Sequence, residues 1–165
     1  MAEPITRRAA LGTLGVIGVG VAAGMLARPA GALAQDAPAP LGRHESVQDG
    51  LKRVFAGRPM KDGAGVIKLE VPPIAENGAV VPVSVEVAAP MTPTSYVKNI
   101  WIVADKNRIP IVARASLTPD AGQAFVGANI RLGETTDVRA VVEQSDGTLL
   151  TTKREVKVTV GGCGG

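Results

Sequence analysis

From Val66 onward, apolar and polar residues alternate with a period of two, and turn-forming residues interrupt the alternation at short intervals. Val81, Val83, Val85 and Val87 alternate with Pro82, Ser84 and Glu86. Successive strand side chains point to opposite faces, so this stretch predicts a half-buried strand. Pro82 cannot donate to a ladder, which places it on a sheet edge or near the strand's start. Val66–Val71 precedes it and stops at Pro72-Pro73, and Asn77-Gly78 is a turn signal between the two. Val97–Ala104 contains the continuous apolar run Ile100-Trp101-Ile102-Val103, the pattern of a central strand. The polar turn Asp105-Lys106-Asn107-Arg108 leads into Ile109–Leu117. Inward faces follow at Ala124, Val126, Ala128, Ile130 and Leu132, and then at Val138, Ala140 and Val142. After the turn at Asp146-Gly147, the last strand carries Val156, Val158 and Val160 on one face. About seven strands at this spacing predict an all-β fold, an immunoglobulin-like antiparallel β-sandwich with Trp101 as its core tryptophan.

The period changes to that of a helix between His44 and Arg58. Val47, Leu51, Val54 and Phe55 fall on one face, Ser46 is placed to cap, and Gly57 and Pro59 are placed to stop it. Such a helix is expected to cover an edge or end of the sheet. Further upstream, Arg7-Arg8, a glycine-diluted apolar stretch and Ala32-Leu33-Ala34 form the pattern of a cleaved twin-arginine export signal. The expected organisation is a signal at 1–34, linker and helix at 35–64, the β-sandwich domain at 65–160 and a flexible arm at 161–165. No membrane association is expected once the signal is removed.

Charge and composition narrow the function. Of 18 Lys+Arg and 15 Asp+Glu, the signal holds Arg7, Arg8, Arg28 and Glu3, so the remainder is nearly neutral. With aromatics at 2%, this is not a nucleic-acid surface. His44 is the only histidine and Cys163 the only cysteine, too few for a zinc site or a structural disulfide. Carboxylates are scattered singly. No cofactor motif and no catalytic centre are expected.

What remains is the terminus, Gly161-Gly162-Cys163-Gly164-Gly165. A cysteine flanked by glycines at a chain end has no bulky neighbours, so its thiol is presented rather than packed. Extended, the arm from Val160 would carry the sulfur roughly 10 Å beyond the last strand. No cation or general base neighbours the thiol in sequence, so it reads as a handle that other proteins modify rather than as a nucleophile acting alone. Widening the arm with Gly162→Val or Gly164→Val is expected to leave folding intact and to slow every partner.

The twin-arginine signal, the stretches Ala75-Glu76-Asn77-Gly78-Ala79-Val80-Val81-Pro82-Val83 and Tyr96-Val97-Lys98-Asn99-Ile100-Trp101-Ile102, and above all the terminal Gly-Gly-Cys-Gly-Gly resemble the SoxY sulfur carriers of bacterial Sox thiosulfate oxidation. The resemblance implies a periplasmic carrier that is not itself an enzyme and works as a heterodimer with a SoxZ-like small subunit exported with it. Cys163 would be the covalent attachment point for sulfur intermediates, on an arm made narrow by Gly161, Gly162, Gly164 and Gly165. A haem enzyme would conjugate thiosulfate to Cys163, a hydrolase would release sulfate, and a sulfane dehydrogenase, where present, would oxidise the sulfur that stays. An exposed thiol in an oxidising compartment also suits a disulfide-linked dimer through Cys163. Two other readings stay open on the residues alone. One is a structural or interaction sandwich that uses Cys163 only for an intermolecular disulfide. The other is a thiocarboxylate carrier loading sulfur on Gly165.

Overall fold

The computed structural model describes residues 44–163. The expected export signal at 1–34, the start of the expected linker and Gly164 and Gly165 lie outside the described residues. The described part contains one helix, α1 (Val47–Phe55), a 3-10 turn at Pro119–Ala121 and nine strands. The strands are β1 (Met60–Asp62), β2 (Ile67–Glu70), β3 (Ile74–Asn77), β4 (Val81–Val87), β5 (Val97–Ala104), β6 (Ile111–Ser116), β7 (Ala124–Ile130), β8 (Thr136–Gln144) and β9 (Leu149–Val160). No helix among the described residues is long and apolar enough to cross a membrane.

The strands form the expected two-layered sandwich. The larger sheet runs β1-β9-β8-β5-β6, with β3 also on β9, and the smaller runs β2-β4-β7. All seven strands read from the alternation are present and pair antiparallel. The two additional short strands, β1 and β3, instead pair parallel to β9, one after the other along its free edge. Pro82 is the second residue of β4, beyond the residues with which β2 pairs. The main core lies between the sheets, where the inward faces of β2, β4 and β7 meet Ile100, Ile102, Val138, Ala140 and Val142.

Trp101 is buried, but not between the sheets. It belongs to a second cluster with Phe55, Val103, Val141 and Leu149, on the outer face of the large sheet. Alternation along β5 turns Ile100 and Ile102 to the small sheet and Trp101 and Val103 to the opposite face. Helix α1 covers that face rather than an edge or end, and Phe55 meets Trp101 edge to face with ring centroids 4.8 Å apart. The unbroken apolar run of β5 follows from having both faces covered. Ser46 caps α1 by accepting the Asp49 N–H at 3.1 Å. The helix ends at Ala56, left-handed at φ 52°, one residue before the glycine expected to stop it.

Candidate functional site

The end of β9 outruns its partner. β8 pairs with β9 only as far as Val156, and beyond it Lys157–Val160 are held by β3 on one side. On the other, Thr135 Oγ1 accepts the Val158 N–H at 3.0 Å. The chain then passes between two turns, Gly78-Ala79 after β3 and Leu132-Gly133 after β7.

Three backbone hydrogen bonds join these segments in series. The Gly78 N–H donates to Val160 O at 2.7 Å, the Leu132 N–H to Gly78 O at 2.8 Å and the Gly162 N–H to Leu132 O at 2.9 Å. Leu132 is fully buried and anchors its turn in the core. Asn107, 4% exposed, fixes the same turn from behind. Its Nδ2 donates to Arg131 O at 2.7 Å and its Oδ1 accepts the Gly133 N–H at 3.3 Å. A buried amide with both ends satisfied is a rigid strut, because leaving either end unpaired there costs more than the bond returns at the surface.

The passage admits glycine alone. A Cβ on Gly161 would overlap the Gly133 carbonyl oxygen. On Gly162 it would come within 2.6 Å of Gly78 O and 2.7 Å of Ala79 N and Cα. A Cβ on Gly78 would strike Leu132 O. These neighbours are backbone atoms of two turns tied together by hydrogen bonds, so none can swing aside as a side chain would. Gly78 was legible in the sequence only as a turn residue. Its φ is not in the left-handed region, so what the site needs from it is space.

This geometry corrects the expectation of an arm free from Gly161 onward. Gly162 is buried and hydrogen-bonded, so the projecting part begins at Cys163, and the reach of roughly 10 Å from Val160 requires the slot to let go. It also corrects the expectation that Gly162→Val spares the fold. Cys163 itself is exposed with a free thiol. Arg131 Nη1 donates to its carbonyl oxygen at 3.2 Å. Val80, just after the Gly78-Ala79 turn, and Val160, on the threaded chain just before Gly161, are 62% and 61% exposed. His44 is exposed just ahead of α1, and no described side chain hydrogen-bonds to the Cys163 sulfur. Among the described residues, no group of three His, Cys, Asp or Glu could hold a metal ion. The site as described offers an accessible thiol on a fixed base, with one cation at that base.

Comparison with known proteins gives the same direction. A family profile described as sulfur oxidation protein SoxY matches residues 51–163, which ends on the cysteine. The sulfur carrier protein SoxY from Chlorobium limicola f thiosulfatophilum is similar in structure, with a TM-score of 0.58 and 32% identity. The match covers 70% of this chain and 97% of that one. A superoxide reductase (neelaredoxin) from Ignicoccus hospitalis has a TM-score of 0.52 at 18% identity, covering 56% of this chain and 79% of that one. At that identity the likeness is one of fold alone. A comparison with curated proteins gave no match.

Proposed function

The chain belongs to the SoxY family of sulfur oxidation proteins, and from that premise we propose that it carries thiosulfate-derived sulfur covalently on Cys163. The observation that supports this most is the placement of its one thiol: exposed, at the end of the chain, on a base from which side chains have been removed at Gly78, Gly161 and Gly162. A narrow tip suits insertion into a partner's cleft, and a covalent tether keeps an intermediate at high local concentration between partners.

In this reading Cys163 loads by oxidative conjugation. Its thiol and thiosulfate form a new S–S bond, giving Cys–S–S–SO3⁻ with release of one proton and two electrons, which the haem enzyme accepts. Hydrolysis by water at the terminal sulfur releases sulfate and two protons and leaves Cys–S–S⁻. Where a sulfane dehydrogenase is present, it removes six electrons as three waters add oxygen, forming Cys–S–SO3⁻. A second hydrolysis then frees the thiolate and a second sulfate. The catalysts in every step are partners. The chain supplies the attachment atom and its presentation, as a periplasmic heterodimer with a SoxZ-like subunit. The Arg7-Arg8 signal supports export by the twin-arginine route, which takes folded and preassembled proteins.

Complementation tests the assignment. In a strain lacking its own copy, the wild-type chain restores thiosulfate oxidation and Cys163→Ser abolishes it while still co-purifying with the small subunit. Retained oxidation by Cys163→Ser would transfer the role to another atom, the Gly165 carboxyl being the nearest alternative in kind.

A further inference from the structure

The thiosulfate adduct differs from the bare thiol in charge: it ends in a sulfonate. The structure assigns Arg131 as the residue that receives that anion, a positioning residue for the cargo rather than a catalyst; this rests on the carrier reading above. Its guanidinium already lies at the base of the cysteine, with Nη1 3.2 Å from Cys163 O. Among the described residues the Arg131 guanidinium makes no other hydrogen bond and no ion pair, so none of the described carboxylates takes up its charge.

The two ends of this contact are fixed to one another. The Arg131 carbonyl accepts from the buried Asn107 amide, and the next residue, Leu132, accepts the Gly162 N–H. The cation and the cysteine therefore spring from one braced unit, and no loop has to close to bring them together. The adduct adds two sulfur–sulfur bonds of about 2 Å each beyond Sγ. That length lets the sulfonate fold back over the arm's base, within range of a side chain as long as arginine's. A guanidinium presents several N–H donors in a planar fork suited to a tetrahedral oxyanion, and it can keep one on the carbonyl while offering others to the sulfonate. A neutral cargo gains nothing from this arrangement. Arg131 thus favours anionic sulfur on Cys163 over uncharged disulfides such as those with small thiols.

The test uses the full chain, reduced, and two loading reagents. Tetrathionate transfers an S–SO3⁻ group to the Cys163 thiolate and leaves as thiosulfate, which makes the adduct without any enzyme. Hydroxyethyl disulfide makes a neutral mixed disulfide at the same sulfur by the same kind of exchange. The ratio of the two rate constants, followed by intact mass, cancels differences in thiol exposure and ionisation. Arg131→Gln is expected to lower the ratio about threefold at low salt, the size of an exposed charge contact, with the difference shrinking as ionic strength rises. Arg131→Lys is expected to recover most of it. An unchanged ratio in Arg131→Gln overturns the assignment, and so does an equal slowing with both reagents, which would make Arg131 only a brace for the arm. Either result leaves the carrier reading standing, because that reading is decided by the loss of thiosulfate oxidation in Cys163→Ser.

Discussion

Replacing Gly162 by alanine adds one carbon where the slot has no room. The new Cβ would be 2.6 Å from Gly78 O and 2.7 Å from the backbone of Ala79, in a turn held by hydrogen bonds from Leu132 N–H to Gly78 O and from Ala79 N–H to Asn77 Oδ1. The turn cannot yield cheaply, so the terminus is expected to leave. Leaving breaks the Gly162 N–H bond to Leu132 O and the Arg131 bond to Cys163 O. At about 1 kcal/mol for each net hydrogen bond, the docked state loses about 1–2 kcal/mol. Alanine ordinarily stabilises relative to glycine by restricting the unfolded chain, by about 0.4–1 kcal/mol. That gain is small for a residue three from the end, which has little to lose on unfolding. A modest drop in Tm, about 3–6 °C, is expected. The sharper assay is local: amide exchange at residue 162 and the alkylation rate of Cys163. Docking worth about 1–2 kcal/mol corresponds to about 5- to 30-fold protection of the Gly162 amide, which the alanine variant should lose. Alkylation should quicken as the backbone at Gly162 and Cys163 is released from Leu132 and Arg131 and the arm moves freely. Wild-type protection at residue 162 together with a wild-type alkylation rate would refute the slot.

Three further outcomes follow from the packing. Asn107→Ala removes both braces of the Arg131–Gly133 turn and should cost about 2–3 kcal/mol in denaturant unfolding while also raising the Cys163 alkylation rate. Phe55→Ala removes the edge-to-face partner of Trp101 and should cost about 3–5 kcal/mol, with a red shift of the fluorescence of this single tryptophan and no change at Cys163. For Glu143, burial favours the neutral acid, but hydrogen bonds from Arg58 at 2.8 Å and Asn99 at 2.8 Å outweigh it and hold the carboxyl below its ordinary value of 4.5. Its contribution is therefore present above that value and is lost as pH falls through the lower folded value. Glu143→Gln should flatten this part of the acid-unfolding curve, measured by thermal melts between neutral and strongly acidic pH.

What the sequence revealed and what it hid divide along physical lines. Six of the seven strands read from the sequence, and α1, were legible because burial on one face writes a period of two or 3.6 into the chain, and β5 because burial on both faces writes a continuous apolar run. β1 and β3 write no such period. β1 is only three residues long, and in β3, which is as short as β2, the one large apolar residue, Ile74, is 59% exposed where β2 buries Ile67 and Leu69. They exist because the free edge of β9 offers unpaired backbone groups, which is a property of another part of the chain. Trp101 shows a subtler limit. The run Ile100–Val103 announced that both faces were buried, but not which face met the second sheet and which met the helix. The arm repeats this. Its glycines were conspicuous, and a reach toward partners explained them from the sequence alone. The structure adds an explanation inside the fold: Gly161 and Gly162 pass walls built by residues far away in the chain, and Gly78 is as much a part of the site as they are.

The central claim is that Cys163 carries the sulfur. It is tested most directly by intact mass spectrometry of the protein isolated from cells supplied with thiosulfate, with fragmentation to place any added mass. The account predicts thiosulfonate and sulfane adducts on the C-terminal peptide containing Cys163, removed by a reducing thiol and absent from Cys163→Ser. Unmodified Cys163 in cells actively oxidising thiosulfate, or the same added mass persisting in the serine variant, would contradict it.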